Sequence, residues 1–560
     1  MTEGRLGPEE RDRALERFAG EVFDIAVVGG GITGLGIALD AATRGLSVAL
    51  VEAGDIAGAT SSRSSKLIHG GLRYLEMRDF GLVREALTER RLLLTRIAPH
   101  LVRAVPFLFT LTRRVWERPY VGSGLLLYDS MGGARHVPRS RHLSKARALR
   151  AAPALRPDAL TGAVLFHDCQ EDDALFAAYV ARTAAAHGAA IATRMRAEGP
   201  RSAGGRVEGL ELVDEESGRA HTLRARHVIS AAGVGTDRFL ERMTGRPSSL
   251  LRPSKGIHLL VPREAIAARP GIFMRTEKSI FHAIPWGDRH WLLGDTDTAW
   301  DGGPDDPVAN GADRDYVLDT LNGVLRTPVA ASDVVGVFAG LRPLVAAGSG
   351  GDTTRLSRSH RLFQPLPGLT AIAGGKYTTY RVMARDAVDA ALDDLGGGPP
   401  SRTQDVPLIG AAAPAVAAAG EEGAAALLRT RHGGGADEIL QLAAEHPELA
   451  RPIEGAERYL SAEAVHAVTH QAARDLDDVL SRRMRIALEV ADQGRAAAAD
   501  IAPFVARELG WSEAEAANRV ASYVRLRDAE AAALETRRDA DARARYADVL
   551  AGEPRSPERS

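Results

Sequence analysis

Residues 24–52 read DIAVVGGGITGLGIALDAATRGLSVALVE. The first five residues and the glycines behind them predict a buried parallel strand and its turn. The stretch from Ile32 has helical spacing and closes at Gly45, and SVALVE is a second apolar strand. A strand–helix–strand unit of about 30 residues is the size of a dinucleotide-binding crossover. In Gly29-x-Gly31-x-x-Gly34, Gly29 permits the tight turn, Gly31 lets backbone approach a pyrophosphate, and Gly34 lets helix and strand pack closely. The helix N-terminus adds N–H groups and a positive dipole end. Glu52, at the end of the second strand, is placed for two ribose hydroxyls. A glycine-rich turn without a ligand leaves Glu52 unexplained.

Outward from this unit, HVISAAG (227–233) and LTAIAGGK (369–376) are further short strands ending at glycines. IHLLVP and HWLLGDTD have the pattern of antiparallel strands in a second sheet covering the substrate. Residues 21–395 are therefore expected to form a nucleotide-binding α/β domain interrupted by that sheet. Residues 1–20 are a charged lead-in, and 396–403 are a Gly/Pro-rich linker. Residues 404–545 form an Ala-, Glu- and Arg-rich helical domain, and 546–560 a disordered tail. One helical period covers Ser461–Asp492, and Ser512 with Glu515 marks another helix start.

The 560 residues exceed one ordinary core. A net charge of −2 gives no field toward nucleic acid, so no nucleic-acid partner is expected. Cys169 is the single cysteine, which excludes an intramolecular disulfide and fits a cytoplasmic setting. No metal site is assigned. The N-terminus is not a secretory signal, and no uncharged apolar run reaches the roughly 18 to 20 residues of a membrane span. Membrane contact is thus expected only at the surface.

The fingerprint alone leaves NAD and FAD open. It is followed at once by GATSSRSSKLIHGGLRYLE (58–76), whose small hydroxyl residues suit a chain lying along a diphosphate and flavin. This stretch resembles the signature of FAD-dependent, respiratory glycerol-3-phosphate dehydrogenases. The resemblance extends to PSKGIHLLVP (253–262), IPWGDRHWLLGDTD (284–297), GLRPLV (340–345), GGKYTTYRVMA (374–384) and DVLSRRMRIALE (478–489), in the family's order. It implies an FAD-binding Rossmann-like domain, glutathione-reductase-like and of the D-amino-acid-oxidase type. An inserted antiparallel substrate sheet and a C-terminal all-helical domain complete the implied fold. The implied reaction is oxidation of sn-glycerol 3-phosphate to dihydroxyacetone phosphate, with electrons passed to a membrane quinone.

The resemblance places Thr60, Ser61, Ser62, Ser65, Lys66, His69 and Gly70 along the cofactor. Ala232 and Gly233 are expected where a strand ends against the diphosphate, and Gly374 and Gly375 ahead of a helix starting near Thr378 whose N-terminus faces the flavin. Arginine forks bind phosphate oxygens in pairs, which makes Arg342 and Arg358 the expected phosphate ligands. Arg73, Tyr74 and Lys376 are expected in the active site. Removing the hydroxyl proton needs a base, and His258 is the leading candidate, with His69 and Lys376 as rivals. A histidine pKa near neutrality predicts flavin reduction that rises with pH between about 6 and 7. The acid-free stretch 135–150 reads either as a solvated basic face or as a patch drawn to anionic lipid. Two alternatives share these residues: an oxidase returning electrons to oxygen, and a flavin dehydrogenase of another 2-hydroxy acid. A homodimer is compatible with everything above.

Overall fold

The computed structural model describes residues 4–71, 79–113, 117–131, 137–276, 280–305, 307–346, 359–412 and 423–552. Arg73, Tyr74 and Arg358 lie outside the described residues.

The strand Val22–Val28 is the middle of a sheet with the order His360–Leu366, Leu369–Gly374, Ala220–Ser230, Val22–Val28, Val48–Glu52, Ala190–Thr193. From Leu369–Gly374 to Ala190–Thr193 every pairing is parallel. Burial of Ile25, Ala26 and Val27 from both faces explains the continuous apolar run. The turn behind this strand is glycine by steric necessity. Gly29 has φ +113°, and a Cβ there would stand 2.5 Å from the Ala231 carbonyl oxygen; at Gly34 it would stand 1.9 Å from that of Gly29. The helix Ile32–Thr43 then runs back along the sheet, covered by the helix Tyr380–Leu395.

The second sheet has ten strands among the described residues. The strand Ser254–Pro262 lies between His290–Gly294 and Gly336–Arg342, antiparallel to both. Ile280–Trp286, Gly271–Arg275, Arg103–Leu111 and Gly162–Gln170 continue the sheet. Gly271–Arg275 and Arg103–Leu111 pair in parallel, within an otherwise antiparallel arrangement. Ile257, Leu259 and Val261 enter one apolar core, and Leu260 enters another on the opposite face.

Among the described residues after 403, the regular elements are helical apart from a hairpin of Pro452–Ile453 with Ala456–Leu460. Ser512 caps the helix Glu513–Ala533, its Oγ accepting from the Glu515 N–H at 3.2 Å. The single period expected over Ser461–Asp492 is broken. A helix covers Ser461–His470, a wide turn Asp478–Arg483 and a short helix Ile486–Glu489, with positive φ at Ala472 and Arg485. Ion pairing explains the break. Arg482 and Arg483 each reach Asp55 at 2.6 Å, and Arg485 reaches Asp172 at 2.6 Å and also Asp173. Arg194 returns the contact to Asp478 at 2.7 Å. A regular helix cannot aim three guanidinium groups at acids on another domain, and an uncompensated buried charge would be more destabilising than a lost helical turn. The expected tail also differs. The helix Asp539–Ala551 packs Ala542 and Tyr546 on Val308, Ala529 and Ala533, and Asp539 pairs with the buried Lys255.

Candidate active site

Cross-strand register assembles the centre of the site. Phe338 stands opposite His258, His258 opposite Gly294, Gly294 opposite His282, and His282 opposite Phe273. Five residues distant in sequence thus form one row across a single face of the second sheet. The His258 ring stacks on Phe338 with centroids 4.9 Å apart, and His282 stacks on Phe273 at 5.6 Å. Gly294 leaves the room between them: a Cβ there would lie 2.4 Å from His258 Cδ2.

The serine run lies over this row. Ser65 Oγ is 3.0 Å from His258 Nε2. Thr60 Oγ1 donates to the Leu341 carbonyl at 2.7 Å, and Ser61 Oγ accepts from the Ile32 N–H at 3.0 Å. The run therefore joins the helix start of the nucleotide domain to the substrate sheet. Ser62 Oγ donates to the Ala59 carbonyl within the run's own turn. Lys66 is placed differently from expectation. Its ammonium is fully buried, 2.7 Å from Asp173 and 3.1 Å from the Ser62 carbonyl, and faces the rings of Phe338 and Trp286. It anchors the run from beneath. Gly70 likewise serves packing: its N–H donates to Tyr128 Oη at 2.7 Å, against Leu87. The His69 N–H donates to Thr378 Oγ1 at 3.2 Å.

Arg342 is opposite Ser254 in the strand register. Its guanidinium donates to Asp295, to the Thr296 carbonyl at 3.0 Å and to Ser254 Oγ at 3.4 Å, with Asp297 at 3.8 Å. About a fifth of the side chain stays exposed. The guanidinium is thus oriented by carboxylates before any substrate arrives, the arrangement that pre-organises a fork. Lys376 precedes the turn Tyr377–Thr379, and the helix proper starts at Tyr380, two residues later than the Thr378 expected. Gly374 and Gly375, both with positive φ, bend the chain from strand to helix.

Burial lowers the pKa of His258 to about 3; the nearby Asp295 charge opposes this, while His282, Arg342 and Lys66 reinforce it. His258 is therefore neutral throughout the neutral range, and an ionisation between pH 6 and 7 is not its signature. His282 is also lowered by burial. Among the described residues, His258 Nδ1 and His282 Nε2 are buried without a hydrogen-bond partner.

The cofactor end is built from the fingerprint. The Glu52 carboxylate accepts from the Gly30 N–H at 2.5 Å and the Gly54 N–H at 2.6 Å, one on each oxygen. Each oxygen keeps a lone pair for a ribose hydroxyl. Burial raises the Glu52 pKa, and these two N–H donors work against that rise. The helix Ile32–Thr43 has no side-chain cap from its N-cap Gly31, and the space before Gly31 holds only Ser61 Oγ at 3.2 Å from a notional Cβ. Ala232 and Gly233 follow the strand Ala220–Ser230 directly, and a Cβ on Gly233 would meet open space. These residues fit a dinucleotide whose diphosphate crosses the helix start.

The family model of FAD-dependent oxidoreductases matches residues 24–381, and that of the C-terminal domain of alpha-glycerophosphate oxidase matches 401–516. The chain is 47% identical to a glycerol-3-phosphate dehydrogenase of Mycobacterium leprae, over 92% of this chain and 90% of that protein. The chain belongs to the FAD-dependent glycerol-3-phosphate dehydrogenase family. Its cofactor is FAD. Glycerol-3-phosphate dehydrogenase 2 of Mycobacterium tuberculosis is 46% identical over 94% of this chain and 91% of its own length. The structure of glycerol-3-phosphate dehydrogenase from Bacillus halodurans complexed with FAD superposes with a TM-score of 0.74 at 27% identity, covering 92% of this chain and 97% of that one.

Reading the sequence missed Asp295, His282, Phe338 and Asp173. Asp295 stands in the quoted GDTD motif, so a signal was present. His282 and Phe338 join the site only through strand pairing, which a single sequence does not display.

Proposed function

We propose that the protein oxidises sn-glycerol 3-phosphate to dihydroxyacetone phosphate and delivers the electrons to a quinone. FAD, when bound, supplies the acceptor for the hydride leaving the second carbon. The observation that carries the reading is His258 Nε2, 3.0 Å from Ser65 Oγ, on the same sheet face as the Arg342–Asp295 pair. His258 takes the hydroxyl proton, with Ser65 as its partner, and the nearby carboxylate of Asp295 favours the imidazolium that forms. Arg342 binds phosphate oxygens with the face of its fork that Asp295 leaves open, and Lys376 adds positive charge. The names of the relatives agree with this substrate.

A surface feature supports delivery to a lipid-borne acceptor. Phe80, Tyr120 and Leu127 are 49%, 47% and 40% exposed, around a cleft of about 230 Å³ that also includes Arg275. Arg139, Arg141, Lys145, Arg147 and Arg150 are exposed nearby, and the strand Arg141–Ser144 packs against the helix of Tyr120 through His142 and Gly122. Apolar side chains beside cations suit a surface of anionic lipid. Among the described residues no helix is long and apolar enough to cross a membrane.

The test is anaerobic bleaching of the bound flavin, followed by reoxidation with a soluble quinone or with air. Glycerol 3-phosphate should bleach the flavin, glycerol should not, and quinone should reoxidise it faster than oxygen. Equal bleaching by glycerol removes the phosphate site. Faster reoxidation by oxygen makes the protein an oxidase.

A further inference from the structure

Far along the chain from the His258 row, two helices bring together side chains that the reaction does not use. His466 and His470 are one turn apart on the helix Ser461–His470, and Glu438 faces them from the helix Ala436–Glu445. One ligand atom from each, a ring nitrogen or carboxylate oxygen, lies within 4.8 Å of the other two. We propose that Glu438, His466 and His470 bind one divalent transition-metal ion of the zinc class, which ties two helices of the C-terminal region to each other.

The hydrogen bonds prepare the three groups for this. Thr469 Oγ1 has a single proton and donates it to the Val465 carbonyl at 2.9 Å. The 2.8 Å contact between Thr469 Oγ1 and His470 Nδ1 must then use a proton on Nδ1. His470 Nε2 consequently carries the lone pair, the tautomer that ligates metal. His466 Nε2 is 2.9 Å from Glu438 Oε2, a contact in which a metal replaces the shared proton. The second oxygen, Oε1, accepts from Arg182 at 2.8 Å. Arg182 is fully buried on the helix Asp173–Ala186 and also donates to the Gly4 carbonyl at 3.1 Å. An outer hydrogen bond of this kind fixes a ligating carboxylate in place.

Two imidazoles and a carboxylate are a ligand set for zinc rather than for magnesium or calcium, which take oxygen donors. Tetrahedral bonds of about 2.0 to 2.1 Å put ligand atoms roughly 3.3 Å apart, so the 2.9 Å contact of His466 with Glu438 opens slightly on binding while the widest separation closes by up to about 1.5 Å. His470 has the freedom to close it, being partly exposed at a cavity of about 290 Å³. Glu445 and Glu508 line the same cavity and offset the charge that a dication adds beside Arg182.

The test uses the FAD-loaded full chain, freed of metal with chelator and dialysed against zinc chloride or magnesium chloride. One zinc per FAD should be retained, magnesium should not, and zinc should raise the melting temperature. His470→Asn, at a partly exposed position, should weaken zinc binding by about 10- to 100-fold or more, with flavin content and glycerol 3-phosphate bleaching kept. Retention well below one zinc per chain in the parent overturns the site. So does binding that His470→Asn and His466→Asn leave unchanged, since the chain has other histidines that bind zinc loosely.

Discussion

Ser65 Oγ and His258 Nε2, 193 residues apart in sequence, meet at 3.0 Å. The pair joins the serine run to the substrate sheet and makes the proton's route testable. His258→Asn should slow anaerobic flavin reduction by about 100- to 10,000-fold, the range of a general base, with a smaller change in substrate binding. Ser65→Ala distinguishes two roles: a loss as large makes Ser65 a relay, and a few-fold loss makes it an orienting group. Since burial lowers the His258 pKa to about 3, the reduction rate should show no His258 ionisation between pH 6 and 8. Stopped-flow bleaching at several pH values checks both points, and a His258→Asn rate within a few-fold of the parent takes His258 out of the mechanism.

Glu52→Ala should weaken FAD retention. The carboxylate holds the Gly30 and Gly54 N–H groups as well as the ribose, so the turn loosens together with the ligand contact. Flavin released on dialysis measures the effect. A variant that keeps flavin as tightly as the parent places the ribose elsewhere.

Arg342→Lys should raise the substrate concentration needed for half-maximal bleaching by about tenfold or more, the equivalent of one or more charge-assisted hydrogen bonds. An ammonium keeps the charge but cannot face Asp295, Thr296 and the phosphate together. An unchanged substrate dependence would assign the phosphate to other cations.

Asp55→Asn should destabilise the protein by about 3 to 5 kcal/mol, the usual effect of breaking a buried pair. Asp55 is 3% exposed and receives both Arg482 and Arg483; its neutralisation takes the carboxylate partner from the buried Arg483, while Arg482 keeps Asp477 and Asp478. Urea unfolding with flavin bound reads the change, and a loss below about 1 kcal/mol would show that the C-terminal region docks by its apolar contacts instead.

Stability should fall on acidification below about pH 6.5. His100 and His258 are buried and lowered to about 4 and about 3, so the unfolded chain binds more protons than the folded one in that interval. Their contribution is full above the unfolded value and is lost as pH falls through the folded ones. His100→Gln should flatten the acid limb of a melting-temperature profile, and an unaltered limb would assign the acid loss to groups other than His100.

The sequence by itself determined the nucleotide half of this protein. Its evidence is local: Gly29, Gly34 and Glu52 act within one strand–helix–strand unit, where a close approach admits only glycine and the acid stands at a fixed spacing. The long quoted motifs carried the family for the same reason. Tertiary structure alone decided how the side chains of the substrate half meet. His258, His282 and Phe338 share a face only because four strands pair in one register, and the contents of that face set the His258 pKa. Tertiary contact also turned Lys66 from an expected cofactor ligand into a buried partner of Asp173. It broke the helix expected over Ser461–Asp492, because Arg482, Arg483 and Arg485 must reach acids on another domain. Local spacing records backbone geometry, whereas ion pairing and burial depend on what distant segments bring to the same place.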